Sequence, residues 1–81
     1  MPVVLRESGY KFYFFASDRT EPPHIHVKKA EHECKWWLAP LGLAKNHGFS
    51  HPELLRIARI IRDHQTYLVE AWNVFFADDT A

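Results

Sequence analysis

Pro22-Pro23-His24-Ile25-His26-Val27-Lys28-Lys29-Ala30-Glu31-His32-Glu33-Cys34-Lys35-Trp36-Trp37-Leu38 decides how this chain folds. Paired prolines suit neither a helix interior nor a central strand, but proline is tolerated where a strand begins. From His24 the residues alternate. Ile25 and Val27 share one face; His24, His26 and Lys28 share the other. Lys29-Ala30-Glu31 reads as a turn. His32 to Leu38 then returns as a second strand, with Cys34, Trp36 and Leu38 on one face and Glu33, Lys35 and Trp37 on the opposite one. The segment is therefore predicted to form an antiparallel hairpin with one apolar face.

Upstream, Ser17 to Pro23 is a polar loop. Tyr10 to Ala16 carries Phe12, Tyr13, Phe14 and Phe15, a density of aromatics that favours a strand. Ser8-Gly9 is a turn signal, so Val3 to Arg6 is predicted to pair with the aromatic run. That run is apolar on both faces. One face would meet a helix, the other a partner or a neighbouring loop. Downstream, Pro40 and Gly42 interrupt the pattern, and Leu41 to Lys45 reads either as one more short strand or as an irregular arm. Asn46-His47-Gly48 is a turn.

A helix follows. Ser50 is a good N-cap, Glu53 completes a capping box, and Pro52 sits in the first turn, where its missing N–H costs nothing. Leu54, Ile57, Ala58, Ile61, Leu68 and Trp72 recur at helical spacing, widened by Leu55, Ile60 and Val69. One long helix is expected from about His51 to about Phe75, ending before Asp78 and Asp79. The fold expected is α+β: a small antiparallel sheet of three to five strands with this helix on one face, as a single domain over residues 1–81.

Of the 81 residues, 47% are apolar, enough to offset the entropy of ordering so short a chain. Ten basic and ten acidic side chains balance, which argues against a general nucleic-acid coat but leaves room for a local basic patch. The lone cysteine, Cys34, makes no internal disulfide, as suits a reducing cytoplasm. The first residues do not read as a signal peptide, and no apolar run reaches membrane-spanning length, so no membrane association is expected.

The short first strand, the Gly-Tyr-Lys-Phe-Tyr-Phe-Phe run from Gly9, the Pro-Pro-His-Ile-His-Val segment, the Leu-Ala-Lys-Asn-His-Gly-Phe-Ser stretch before the helix and Glu70-Ala71-Trp72-Asn73 together resemble the domain of unknown function 4160 (DUF4160) family. The resemblance covers nearly the whole chain. Such proteins are small and mostly bacterial, and are often encoded beside a member of the domain of unknown function 2442 (DUF2442) family. It implies the toxin of a type II toxin–antitoxin module, with a DUF2442-type antitoxin as partner. It carries no enzymatic mechanism that can be transferred residue by residue.

The histidines allow three readings. In the first, His24 and His26 flank one phosphodiester as base and acid, Lys28 holds the developing charge, and Arg19 and Trp37 help bind RNA, giving a metal-independent ribonuclease without a cofactor. In the second, His24 and His26 share a zinc ion with His32, or with Glu33, Cys34 or Asp18. In the third, the rings simply cover the sheet, and the alternative to a toxin is then a non-catalytic module that binds a partner protein, such as a DUF2442-type one, through an exposed sheet face or edge. Trp36 and Trp72 are expected in the core. Trp37 faces outward, the better placed of the three for a partner, and self-association into a homo-oligomer stays open.

Overall fold

The computed structural model describes residues 2–77; Asp78 and Asp79, before which the helix was expected to end, lie outside the described residues. Among the described residues five strands, β1 (Val3–Glu7), β2 (Tyr10–Tyr13), β3 (His24–Lys29), β4 (His32–Leu38) and β5 (Leu41–His47), form one antiparallel sheet in sequence order. Two helices, α1 (His51–Asp63) and α2 (Gln65–Phe75), close the chain and pack against the sheet. The α+β architecture expected from the sequence is the one observed. Leu41 to Lys45, open between strand and arm, belongs to β5.

Turn chemistry sets the register. Ser8 and Gly9 both hold positive φ, 54° and 83°, the mirror-image turn whose twist matches a two-residue hairpin. Glu7 therefore faces Tyr10, and Lys11 faces Arg6. Lys29 pairs with His32 across the second turn, where Ala30 takes φ 54°. Ile25 then opposes Trp36, and Val27 opposes Cys34. These residues join Tyr10, Phe12, Phe14 and Leu38 on the face that meets Ile57, Ile60, Ile61 and Leu68 of the helices. Burying a large apolar side chain contributes about 1.5–3 kcal/mol, so this layer dominates stability.

The helical segment differs from expectation in three ways. It is interrupted at His64 (φ −115°, ψ 18°), so there are two helices rather than one. Tertiary contacts hold the break: His64 Nε2 lies 2.9 Å from Glu7 Oε1, and the next side chain, Gln65, donates to the Leu38 carbonyl. Only half of the capping box forms. Ser50 Oγ accepts from the Glu53 N–H at 3.3 Å, but Glu53 Oε2 accepts from the Tyr10 hydroxyl at 3.2 Å. Leu55 is exposed rather than part of the apolar stripe. Trp72, on α2, meets Phe14 edge-on at 5.4 Å between ring centroids.

Candidate metal centre and basic sheet face

The opposite face of the sheet is where the functional candidates gather. Its side chains run in two rungs across the strands. One is Arg6, Lys11, Lys28, Glu33 and His47; the other is Tyr13, His26, Lys35 and Lys45. Five of these nine residues are lysine or arginine and one is acidic, so a chain with no net charge has a locally basic face. Beside it, Tyr13, Phe15, His26, Lys35, Lys45 and His47 help to line a shallow groove of about 300 Å³.

The expected loop between β2 and β3 contains a short 3₁₀ turn, Ala16–Thr20, that folds over the end of this face. Asp18 closes it. Asp18 Oδ2 accepts from the Phe15 N–H at 2.7 Å and lies 3.0 Å from His26 Nε2. Glu21, farther along the loop, forms an ion pair with Lys35. The Lys35 hydrogen bond keeps the Glu21 carboxyl below its ordinary range.

Under this loop His24 is completely buried. Its ring lies 5.0 Å from that of Trp72, 5.6 Å from that of Trp37 and 5.0 Å from that of His26. His24 Nδ1 is 2.9 Å from the Pro22 carbonyl oxygen. A carbonyl only accepts, so this contact assigns the proton to Nδ1. In the neutral ring Nε2 is then bare. It lies 3.2 Å from Asp18 Oδ1 and, among the described residues, is left without a well-formed hydrogen bond.

His26 is more accessible, with 17% of its side chain exposed. It stacks on Tyr13, with centroids 5.4 Å apart and ring planes 19° apart. Burial lowers the His26 pKa, outweighing the opposite pull of Asp18. Burial also acts on Asp18, raising its pKa, but the hydrogen bonds from the Phe15 N–H and from His26 prevail and hold the carboxyl below its usual range. Tyr13, buried beside Glu33, is pushed up to about 12; its hydroxyl donates to Glu33 Oε1 at 3.3 Å.

Of the sequence-derived candidates, the structure brings together His24, His26, Trp37 and Asp18. Lys28 shares the face but projects into solvent one rung away. Arg19 lies elsewhere, lining a groove with Ala16, Phe75 and Phe76. His32 does not approach the pair, because His26 faces Lys35; its ring packs 5.5 Å from Phe49 instead. Glu33 sits on the neighbouring rung, and Cys34 points into the core. The signal for Asp18 in the sequence is faint: His32, Glu33, Cys34 and Asp18 all lie within reach as third ligands, and nothing in the spacing selects Asp18.

The sequence model of the family described as "Domain of unknown function (DUF4160)" matches residues 9–73, and the chain belongs to this family. No curated protein and no solved structure matches it. No helix among the described residues is long and apolar enough to cross a membrane.

Proposed function

We propose that the chain is the toxin of a bacterial toxin–antitoxin pair and acts on RNA through the basic face of its sheet. The observation that carries this reading is the clustering of Arg6, Lys11, Lys28, Lys35 and Lys45 on one face of a chain with zero net charge. Such a face attracts phosphates, and neighbouring rings offer stacking surfaces to unpaired bases. Phe15, 39% exposed, and Trp37 lie at the edge of this face. The two-histidine acid–base mechanism fits less well. A phosphate cannot lie between His24 and His26 unless the Asp18 loop moves, because His24 has no exposed surface.

The test pairs growth with binding. Wild type and a Lys28→Glu/Lys45→Glu variant are induced in a bacterial host and, once purified, titrated with a fluorescent single-stranded RNA. Arrest and salt-dependent RNA binding in the wild type, both lost in a folded variant, would support the proposal. Absence of RNA binding by the soluble wild type at low salt would end it.

The partner reading has its own observation. Val4, Tyr67, Ala71, Val74 and Phe75, with the charged Glu70 among them, line a largely apolar groove of about 410 Å³ on the α2 side, and Val74 is 77% exposed. An antitoxin of the DUF2442 type would bury such a patch. Val74→Glu should then abolish copurification with that antitoxin while leaving RNA binding intact. If Val74→Glu still copurifies, the antitoxin binds elsewhere.

A further inference from the structure

We propose that Asp18, His24 and His26 form a binding site for one divalent first-row transition-metal ion, with zinc as the reference ion. The inference does not depend on the RNA reading, since it concerns the histidine–aspartate cluster and not the lysine face.

The donor atoms are already assembled. His26 Nε2 lies 3.0 Å from Asp18 Oδ2, His24 Nε2 lies 3.2 Å from Asp18 Oδ1, and the ligand atoms of all three residues fall within 4.8 Å of one another. Zinc bonds of about 2.0–2.2 Å at tetrahedral angles place donors roughly 3.3 Å apart. The two histidine–carboxylate separations already match that span, and the wider donor separations, up to 4.8 Å, would close onto the ion as it bound.

The state of His24 supplies the independent observation. Its Nδ1–H is committed to the Pro22 carbonyl, which fixes the ring and, while the ring is neutral, turns the Nε2 lone pair towards a carboxylate oxygen. That nitrogen is completely buried and has no hydrogen-bond partner among the described residues. Two acceptors facing each other in a buried pocket repel, whereas a shared cation satisfies both. A backbone carbonyl on the far ring nitrogen is also how metal-bound imidazoles are ordinarily oriented. The Phe15 N–H does the same for Asp18 by holding Oδ2. Two imidazoles and one carboxylate suit zinc, iron(II) or manganese(II) better than calcium or magnesium. Three protein ligands leave at least one coordination position for water or a ligand oxygen.

The cluster could instead hold a proton, with a charged His24 ring paired to Asp18. The experiment separates the two. Full-length protein made without a polyhistidine tag is stripped with chelator, and zinc is titrated against a chromophoric competitor. The same is done for Asp18→Asn and His26→Ala, and for a His47→Ala control on the exposed end of β5. Melting temperature is followed with and without zinc, and cobalt(II) is added to read visible ligand-field bands.

One equivalent of zinc bound with sub-micromolar Kd and a rise of several degrees in Tm is expected. Asp18→Asn and His26→Ala should weaken binding 100-fold or more and remove the Tm rise, with His47→Ala unchanged. Circular dichroism of the metal-free variants checks that they fold; if one does not, the other carries the comparison. Binding below 0.1 equivalent, or affinity untouched in a folded Asp18→Asn or His26→Ala variant, overturns the proposal. So does a nitrogen-15 spectrum showing His24 doubly protonated in zinc-saturating buffer.

Discussion

Asp18 Oδ2 lies 3.0 Å from His26 Nε2, although the two residues are eight apart in sequence and belong to different elements. The contact pins the 3₁₀ turn onto the sheet, and the same carboxylate holds the Phe15 N–H at the start of that turn. Asp18 is thus both the clasp of the loop and part of the cluster beneath it. Replacing it with alanine removes two hydrogen bonds from a carboxylate whose side chain is only 11% exposed. In chelator, to exclude any metal contribution, Asp18→Ala should lose about 1–3 kcal/mol. A urea titration checks this: the midpoint should fall with the slope unchanged. An unaltered midpoint would mean that the loop is held by Glu21 and Lys35 instead.

His24→Ala should cost more. The ring is fully buried, packed near Trp37, Trp72 and His26, and its removal leaves a void and an unpaired Pro22 carbonyl. Losses of this kind run to about 3–5 kcal/mol for a large aromatic side chain, and somewhat less for the smaller imidazole. Thermal unfolding of His24→Ala beside His26→Ala checks the ranking, with His24→Ala the less stable. A loss of activity in His24→Ala is therefore a stability effect until its folded fraction is measured, and His26→Ala is the cleaner probe.

Much of this architecture is legible in local patterns. Alternation from His24 to Leu38 assigns each side chain to the face it occupies, because a strand has period two and prolines mark where it starts. Ser8-Gly9 and Ser50-His51-Pro52 give the first hairpin and the first helix by turn and capping chemistry. The break at His64 is not legible, since its causes are contacts with Glu7 and Leu38, far away in sequence. The same holds for the site. The shared face of His24 and His26 follows from their spacing, but the burial of His24 depends on a loop closing over it and on Trp72 arriving from α2. Hairpin register, set one residue at a time by the Ala30 turn, puts Lys35 opposite His26 and sends His32 to Phe49.

Gly48 gives a test of how the sheet joins α1. Its φ is +107°, and a β-carbon there would stand 2.5 Å from His32 Cδ2. Gly48→Ala meets two separate costs, backbone strain of about 1–3 kcal/mol and a collision with the imidazole. A double-mutant cycle separates them. His32→Ala in the Gly48→Ala background should recover the collision but not the strain, so the double variant should lie between Gly48→Ala and wild type. Strict additivity of the two substitutions would show that His32 swings aside freely and that strain alone accounts for the loss.

Cys34 sets an alkaline limit on stability. The thiol is buried in the core, its sulfur accepts from Trp36 Nε1 at 3.2 Å, and burial pushes its pKa up to about 11 against an ordinary 9.0. The folded state therefore keeps its proton where the unfolded chain has lost it. Because the native state binds more protons in that range, stability must fall as pH rises from about 9 towards 11, and the full contribution is present below 9. Cys34→Ala removes this source of pH dependence, so the stability difference between wild type and variant should narrow over that window. Chemical denaturation at pH 8, 9, 10 and 11 measures it. The same burial predicts slow reaction with a thiol reagent at pH 8 in buffer and fast reaction in denaturant. Rapid labelling of the native protein would place Cys34 at the surface and remove the reason for the alkaline limit.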